Sequence, residues 1–150
     1  MKKIDLRLVP ARIGSSYPAP LDGPCRDRRR AALGDAAGLS QFGVNLLTLP
    51  PGVWSSQRHW HSAEDEFVWV LDGEVVLVTD AGEEVLRAGD CAGFKAGVAD
   101  GHHLQNRSEH TAHVLEVGSR HPDQDVTDYS DVDMHWVGNS VPTRKDGSPY

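Results

Sequence analysis

Residues 59–87 read HWHSAEDEFVWVLDGEVVLVTDAGEEVLR, and this stretch decides the fold. Two apolar runs, Val68 to Leu71 and Val75 to Val78, flank Asp72-Gly73, and Asp80-Ala81-Gly82 separates the second run from Val85-Leu86. Both junctions carry turn chemistry: Asp bonds its own backbone locally, and Gly accepts positive φ. The spacing predicts an antiparallel meander over Glu66–Leu71, Glu74–Thr79 and Glu83–Arg87, with a hairpin at each junction. The same texture on either side predicts strands at Phe42–Leu49, Ser55–His61, Cys91–Lys95, His103–Asn106 and His113–Val117. Eight short strands at regular spacing point to an all-β barrel or sandwich, and 15 Gly and 9 Pro in 150 residues suit short elements joined by turns.

The flanks differ in texture. Residues 1–38 carry Pro10, Pro18, Pro20 and Pro24 and read as an extended arm with a short strand at Ile4–Val9. Within the arm, Arg26–Ala37 favours a helix that Gly34 and Gly38 limit to one or two turns. Residues 39–120 form the barrel. Residues 121–150, with Asp123, Asp125, Asp128, Asp131 and Asp133, read as a polar tail packed on it, with Met134–Val137 as a last strand, and the whole is one domain.

Composition excludes several functions. Lys and Arg number 15 against 22 Asp and Glu, a formal charge of −7, which argues against a nucleic-acid partner. No apolar run approaches the roughly 20 residues of a spanning helix, so no membrane partner is expected. Lys2 and Lys3 are followed by Asp5 and Arg7 where a signal peptide needs apolar residues, which points to a cytoplasmic protein. The two cysteines, Cys25 and Cys91, form no CxxC pair and organise neither a disulfide framework nor a cysteine zinc site.

The densest set of ligand-type side chains is His59, His61 and Glu66, with His102 and His103 about forty residues on. On a strand His59 and His61 project from one face and Arg58 and Trp60 from the other. A turn through Ser62 to Asp65 brings Glu66 back beside the pair, and a second strand pair delivers a further imidazole from His102 or His103. Three imidazoles and a carboxylate suit one divalent transition metal ion: Zn, Fe, Mn or Ni. Gln57, two residues before His59, shares the inward face as a second-shell or substrate contact; Asn45 and Cys91 face the barrel, and Trp69 is a further candidate for lining a pocket. His110, His113, His121 and His135 have no useful partner spacing. No catalytic acid or base beyond the ligand set is apparent.

These residues resemble the cupins, small jelly-roll β-barrels. Their first motif is a Gly, an HxH, a Glu and a Gly; Gly52, His59, His61, Glu66 and Gly73 fit it, with one extra residue between Gly52 and His59. Their second is matched by Gly89, Gly97 and Asn106, with Lys95 where a Pro is usual. Counting forward from Gly97 places the family's His at Asp100 and counting back from Asn106 places it at His102, so the loop Ala99–Gly101 is longer than usual. Strand parity favours His102, with His103 as the alternative. The resemblance covers about half the chain, Leu39 to Val117. It implies a jelly-roll barrel, a homodimer, and a small-molecule ligand bound in the barrel. It also implies a metal-dependent isomerase, lyase or dioxygenase acting on a sugar, sugar derivative or hydroxy or keto acid. The alternative is a non-catalytic ligand-binding or regulatory cupin whose metal is structural.

Overall fold

The computed structural model describes residues 3–150; Met1 and Lys2, the latter invoked in the signal-peptide argument, lie outside the described residues. Twelve strands and one short helix follow in chain order. They are β1 (Ala11–Ile13), β2 (Arg29–Ala32), α1 (Leu33–Ala36), β3 (Phe42–Leu49), β4 (His59–His61), β5 (Glu66–Asp72), β6 (Glu74–Thr79), β7 (Gly82–Arg87), β8 (Cys91–Phe94), β9 (His103–Gln105), β10 (Ala112–Ser119), β11 (Val126–Tyr129) and β12 (His135–Val137). One sheet has the order β1-β2-β3-β10-β5-β8, and all its pairs are antiparallel. Opposite it lie β12-β11-β4 and β7-β6-β9, joined by isolated bridges between His59 and His102 and between Trp54 and Gln105. The result is the all-β jelly-roll barrel that the strand spacing and the cupin motifs predict.

Alternation fixes which residues face inward. On β5, Val68 and Val70 are buried while Phe67, Trp69 and Leu71 are exposed, and on β3 Leu47 and Leu49 are buried. With Val75, Leu77, Leu86, Leu104, Ala112 and Val114 they form one apolar core at one end of the barrel. Beyond that core the inward positions turn polar: Glu66 continues the Val68 face of β5, Asn45 the Leu47 face of β3, and Glu116 the Val114 face of β10. Switching from apolar to ionisable residues along the same inward row opens a site at the other end.

Four expectations need correction. The meander breaks at Asp72-Gly73: β5 pairs with β10 and β8, and β6 with β7 and β9, so this turn carries the chain from one sheet to the other. Gly73 takes φ +78°, and a Cβ there would lie 2.9 Å from Ala112 Cα and Thr111 O, which makes the corner a Gly-only position. The helix expected over Arg26–Ala37 is confined to α1, because Arg29–Ala32 pairs with both β1 and β3 and tertiary pairing overrides the Ala-rich propensity. The strand expected at Ile4–Val9 is a 3₁₀ turn at Leu6–Leu8, where the Asp5 side chain accepts from Arg7 N at 3.1 Å. Cys91 is exposed on the outer face opposite Trp69 rather than facing the barrel. Among the described residues no helix is long and apolar enough to cross a membrane.

Candidate metal centre

Three imidazoles meet one carboxylate oxygen at the polar end of the barrel. Glu66 Oε2 lies 2.9 Å from His102 Nε2, 3.6 Å from His61 Nε2 and 3.7 Å from His59 Nε2. His59, His61 and Glu66 present ligand atoms all within 4.8 Å of one another, a group that can hold a metal ion, and His102 joins them through Glu66. Ligands about 2.1 Å from one ion stand about 3.0 to 3.4 Å apart in octahedral or tetrahedral arrangements, which these separations bracket.

Each ring is also held from behind. His59 Nδ1 lies 2.8 Å from the Gln57 carbonyl, His61 Nδ1 lies 2.7 Å from Asp125 Oδ2, and His102 Nδ1 lies 3.5 Å from the Asp100 carbonyl. The close acceptors at Nδ1 of His59 and His61 fix their tautomer and leave their Nε2 lone pairs facing the cluster, as metal ligation requires, while His102 donates through Nε2 to the Glu66 carboxylate, a proton that a metal ion would displace. The Phe94 ring stacks on His102 at 3.6 Å, and Tyr129 lies 5.6 Å from His59, so apolar faces enclose the rings. Burial, the largest influence on His59, lowers its pKa to about 3 and keeps the imidazole neutral. For Glu66 burial acts upward, but the His102 hydrogen bond and the three imidazoles outweigh it and hold the carboxyl below its ordinary range. A neutral His59 beside an ionised Glu66 is the pairing of protonation states that binds a divalent cation.

The other sequence candidates fall in different places. His103 points away from Glu66: its Nδ1 lies 2.9 Å from the Ser56 carbonyl, and its ring packs edge-on against Trp54 at 4.8 Å. Gln57 aims its amide at the N-terminal arm, donating to the Leu21 carbonyl at 2.8 Å, and meets the cluster only through its own carbonyl. Trp69 lies on the outer face of β5, 46% exposed, and does not join the cluster. Asn45 faces inward and lines a cavity that also touches Glu66 and Glu116.

Three residues outside the sequence candidates also contribute: Asp125, Glu116 and Arg30. Asp125, in the stretch expected to be a polar tail packed on the barrel, is buried and accepts from His61 Nδ1 and from Ala63 N at 2.9 Å. Without β11, which no apolar alternation announces, nothing in the sequence aligns Asp125 with His61. Glu116 and Arg30, far apart in sequence, meet across the barrel with Arg30 Nε 2.9 Å from Glu116 Oε2. The cluster opens on two sides. One cavity of about 220 Å³ is lined by Trp60, Phe94, Lys95, Val98 and His102, and another of about 280 Å³ by Arg12, Tyr17, Arg30, Ser56, Glu116 and Thr127.

Residues 45–118 match the Cupin domain family. Among solved structures, a sugar phosphate isomerase of the cupin superfamily from Silicibacter pomeroyi superposes with a TM-score of 0.93 at 48% identity, covering 99% of this chain and 96% of that one. A protein from Acidithiobacillus ferrooxidans assigned as a sugar phosphate isomerase gives a TM-score of 0.71 at 33% identity, covering 78% of this chain and 74% of that one. The polyketide cyclase RemF from Streptomyces resistomycificus, at 21% identity with a TM-score of 0.64 over 79% of each chain, shares the fold alone. No curated protein sequence matches. The family match, the near full-length likeness at 48% identity and the barrel geometry agree, and the chain belongs to the cupin superfamily.

Proposed function

We propose that this cupin is a metal-dependent enzyme acting on a small oxygenated metabolite in the barrel, with His59, His61, Glu66 and His102 holding one divalent transition metal ion. The observation that carries the reading is the convergence of three Nε2 atoms on one Glu66 oxygen while each Nδ1 faces an oxygen acceptor. The ion, Zn, Fe, Mn or Ni, supplies Lewis acidity toward a carbonyl or hydroxyl oxygen. Three neutral imidazoles and one carboxylate leave a divalent centre with a net charge of about +1, which favours an electron-rich oxygen ligand. Phe94 and Tyr129 limit water around the rings, and the two flanking cavities give a substrate room on either side. The names carried by the relatives at 48% and 33% identity favour isomerisation of a phosphorylated sugar within this class.

The test is a carbon-13 NMR survey of metal-loaded protein with aldose and ketose phosphates, run beside Glu66→Gln and a chelated sample. The proposal expects aldose–ketose interconversion that disappears in both controls. Tight binding of the sugars without turnover in the loaded wild type would establish the non-catalytic reading instead.

A further inference from the structure

The N-terminal strands bring an unusual concentration of positive charge to the chamber beside the cluster. Arg12 of β1 stands directly opposite Arg30 of β2, and Arg30 opposite Leu47 of β3, whose side chain is in the core, so all three occupy the inward face. Like charges facing one another across paired strands oppose folding unless something between them offsets the repulsion. One carboxylate does not offset both. Arg30 spends Nε and a terminal nitrogen on the same Glu116 oxygen, at 2.9 and 2.8 Å, while Arg12 has no carboxylate partner among the described residues. Arg28, buried in the lining of the same chamber, bonds only the neutral carbonyls of Gly14 and Ser55 and so has no direct carboxylate partner either.

The chamber's charges can be counted. Arg12, Arg28 and Arg30 face Glu64, Glu66 and Glu116 across about 280 Å³. The six charges balance with no ion present, and a divalent ion at Glu66 leaves the chamber doubly positive inside a chain whose formal charge is −7. A phosphate monoester carries about −1.5 to −2 at neutral pH and accepts the two-pronged hydrogen bonds that guanidinium groups offer. A carboxylate carries one charge and leaves the second uncompensated.

We infer that Arg12 and Arg30 form the seat for the phosphate monoester of the substrate, placed so that the sugar reaches toward the His and Glu cluster. The inference rests on the proposed metal centre for the position of the sugar, but it concerns residues outside that centre. Arg12 belongs to a three-residue exposed strand, which makes it a clean site for substitution.

The experiment is calorimetric titration of protein whose metal content has been measured by elemental analysis. The probes are sorbitol 6-phosphate, which has the dianion but no carbonyl to turn over, together with sorbitol and gluconate. Wild type is expected to bind sorbitol 6-phosphate at least tenfold more tightly than either other probe. Arg12→Gln should remove that preference while leaving metal content and sorbitol binding unchanged and without lowering the melting temperature, since it relieves the repulsion from Arg30, and Arg12→Lys should retain part of the preference. Undiminished sorbitol 6-phosphate affinity in Arg12→Gln, or a preference for gluconate in wild type, would overturn the inference. Metal content separates the two readings: protein that takes up no ion but keeps an Arg12-dependent phosphate preference contradicts the metal centre and supports the seat.

Discussion

Replacing Asp125 by Asn tests whether the buried carboxylate behind His61 is part of the site. Asp125 is 5% exposed; its Oδ2 faces His61 Nδ1 at 2.7 Å and its Oδ1 accepts from Ala63 N at 2.9 Å, with longer bonds from the Thr127 and Ser62 hydroxyls. Asn has the same shape but one oxygen and one NH2 group. In either orientation one donor faces another donor, and flipping the amide only changes which. If the NH2 faces His61, Nδ1 must give up its proton to act as acceptor, and the proton moves to the Nε2 that should bind metal. Loss of such an orienting partner costs about 10- to 100-fold in metal affinity, or about 1.4 to 2.8 kcal/mol. If the NH2 faces Ala63, a buried N–H loses its acceptor, which costs about 1 to 3 kcal/mol of folding stability. In a domain of this size that lowers the melting temperature by roughly 2 to 12 °C. Chelator-competition titrations and thermal melts of the metal-free protein separate the two outcomes. Asp128→Asn is the control, since Asp128 pairs with Lys145 at 3.2 Å rather than with the cluster. Wild-type metal affinity together with a wild-type melting temperature in Asp125→Asn would refute the reasoning.

Other perturbations follow from the same geometry. The double variant His59→Ala, His61→Ala should lose bound metal and the ligand-linked part of its thermal stability, as read by elemental analysis and calorimetry with and without chelator. For the metal-free protein, burial lowers the His59 pKa to about 3 from about 6.5 in the unfolded chain, so the unfolded state takes up more protons between those values. Stability should therefore fall as pH drops from about 6.5, at up to about 1.4 kcal/mol per unit, and the depressed carboxyl of Glu66 should add a loss of the same sign below about 4.5. Urea titrations at pH 7.5 and 5.5 would read this, and equal midpoints would contradict a buried neutral imidazole. Gly73→Ala, which forces a Cβ against the Ala112 backbone at a positive φ, should cost about 2 to 4 kcal/mol in urea unfolding without changing metal stoichiometry in the folded fraction.

Much of this protein is legible in its sequence because short-period patterns encode it. Phe42–Leu49 and Glu74–Thr79 are strands at the expected residues, since their β-branched and aliphatic residues match a half-buried pleat. The HxH and the following Glu find each other because a two-residue period and one tight return suffice to bring them together. What local pattern cannot carry is pairing between distant segments. β2 is Arg-Arg-Ala-Ala, with no strand propensity, and forms because β1 and β3 flank it. Asp72-Gly73 has hairpin chemistry, yet packing against Ala112 makes it a corner between sheets. Asp125 sits in an Asp-rich stretch that reads as a polar tail with no partner specified, and only the pairing of β11 with β4 brings it behind His61. The contrast between His102 and His103 is likewise tertiary: the bridge to His59 orients the first toward Glu66, while Ser56 and Trp54 hold the second away.

The central claim is that these four side chains hold one metal ion. Elemental analysis of protein expressed without an affinity tag or added metal, with His59→Ala prepared in parallel, tests it most directly. The account predicts about one equivalent of a divalent transition metal per chain in the wild type and a large loss in the variant. Equal metal in both samples, or none in the wild type even after incubation with Zn, Mn, Fe or Ni, would contradict it.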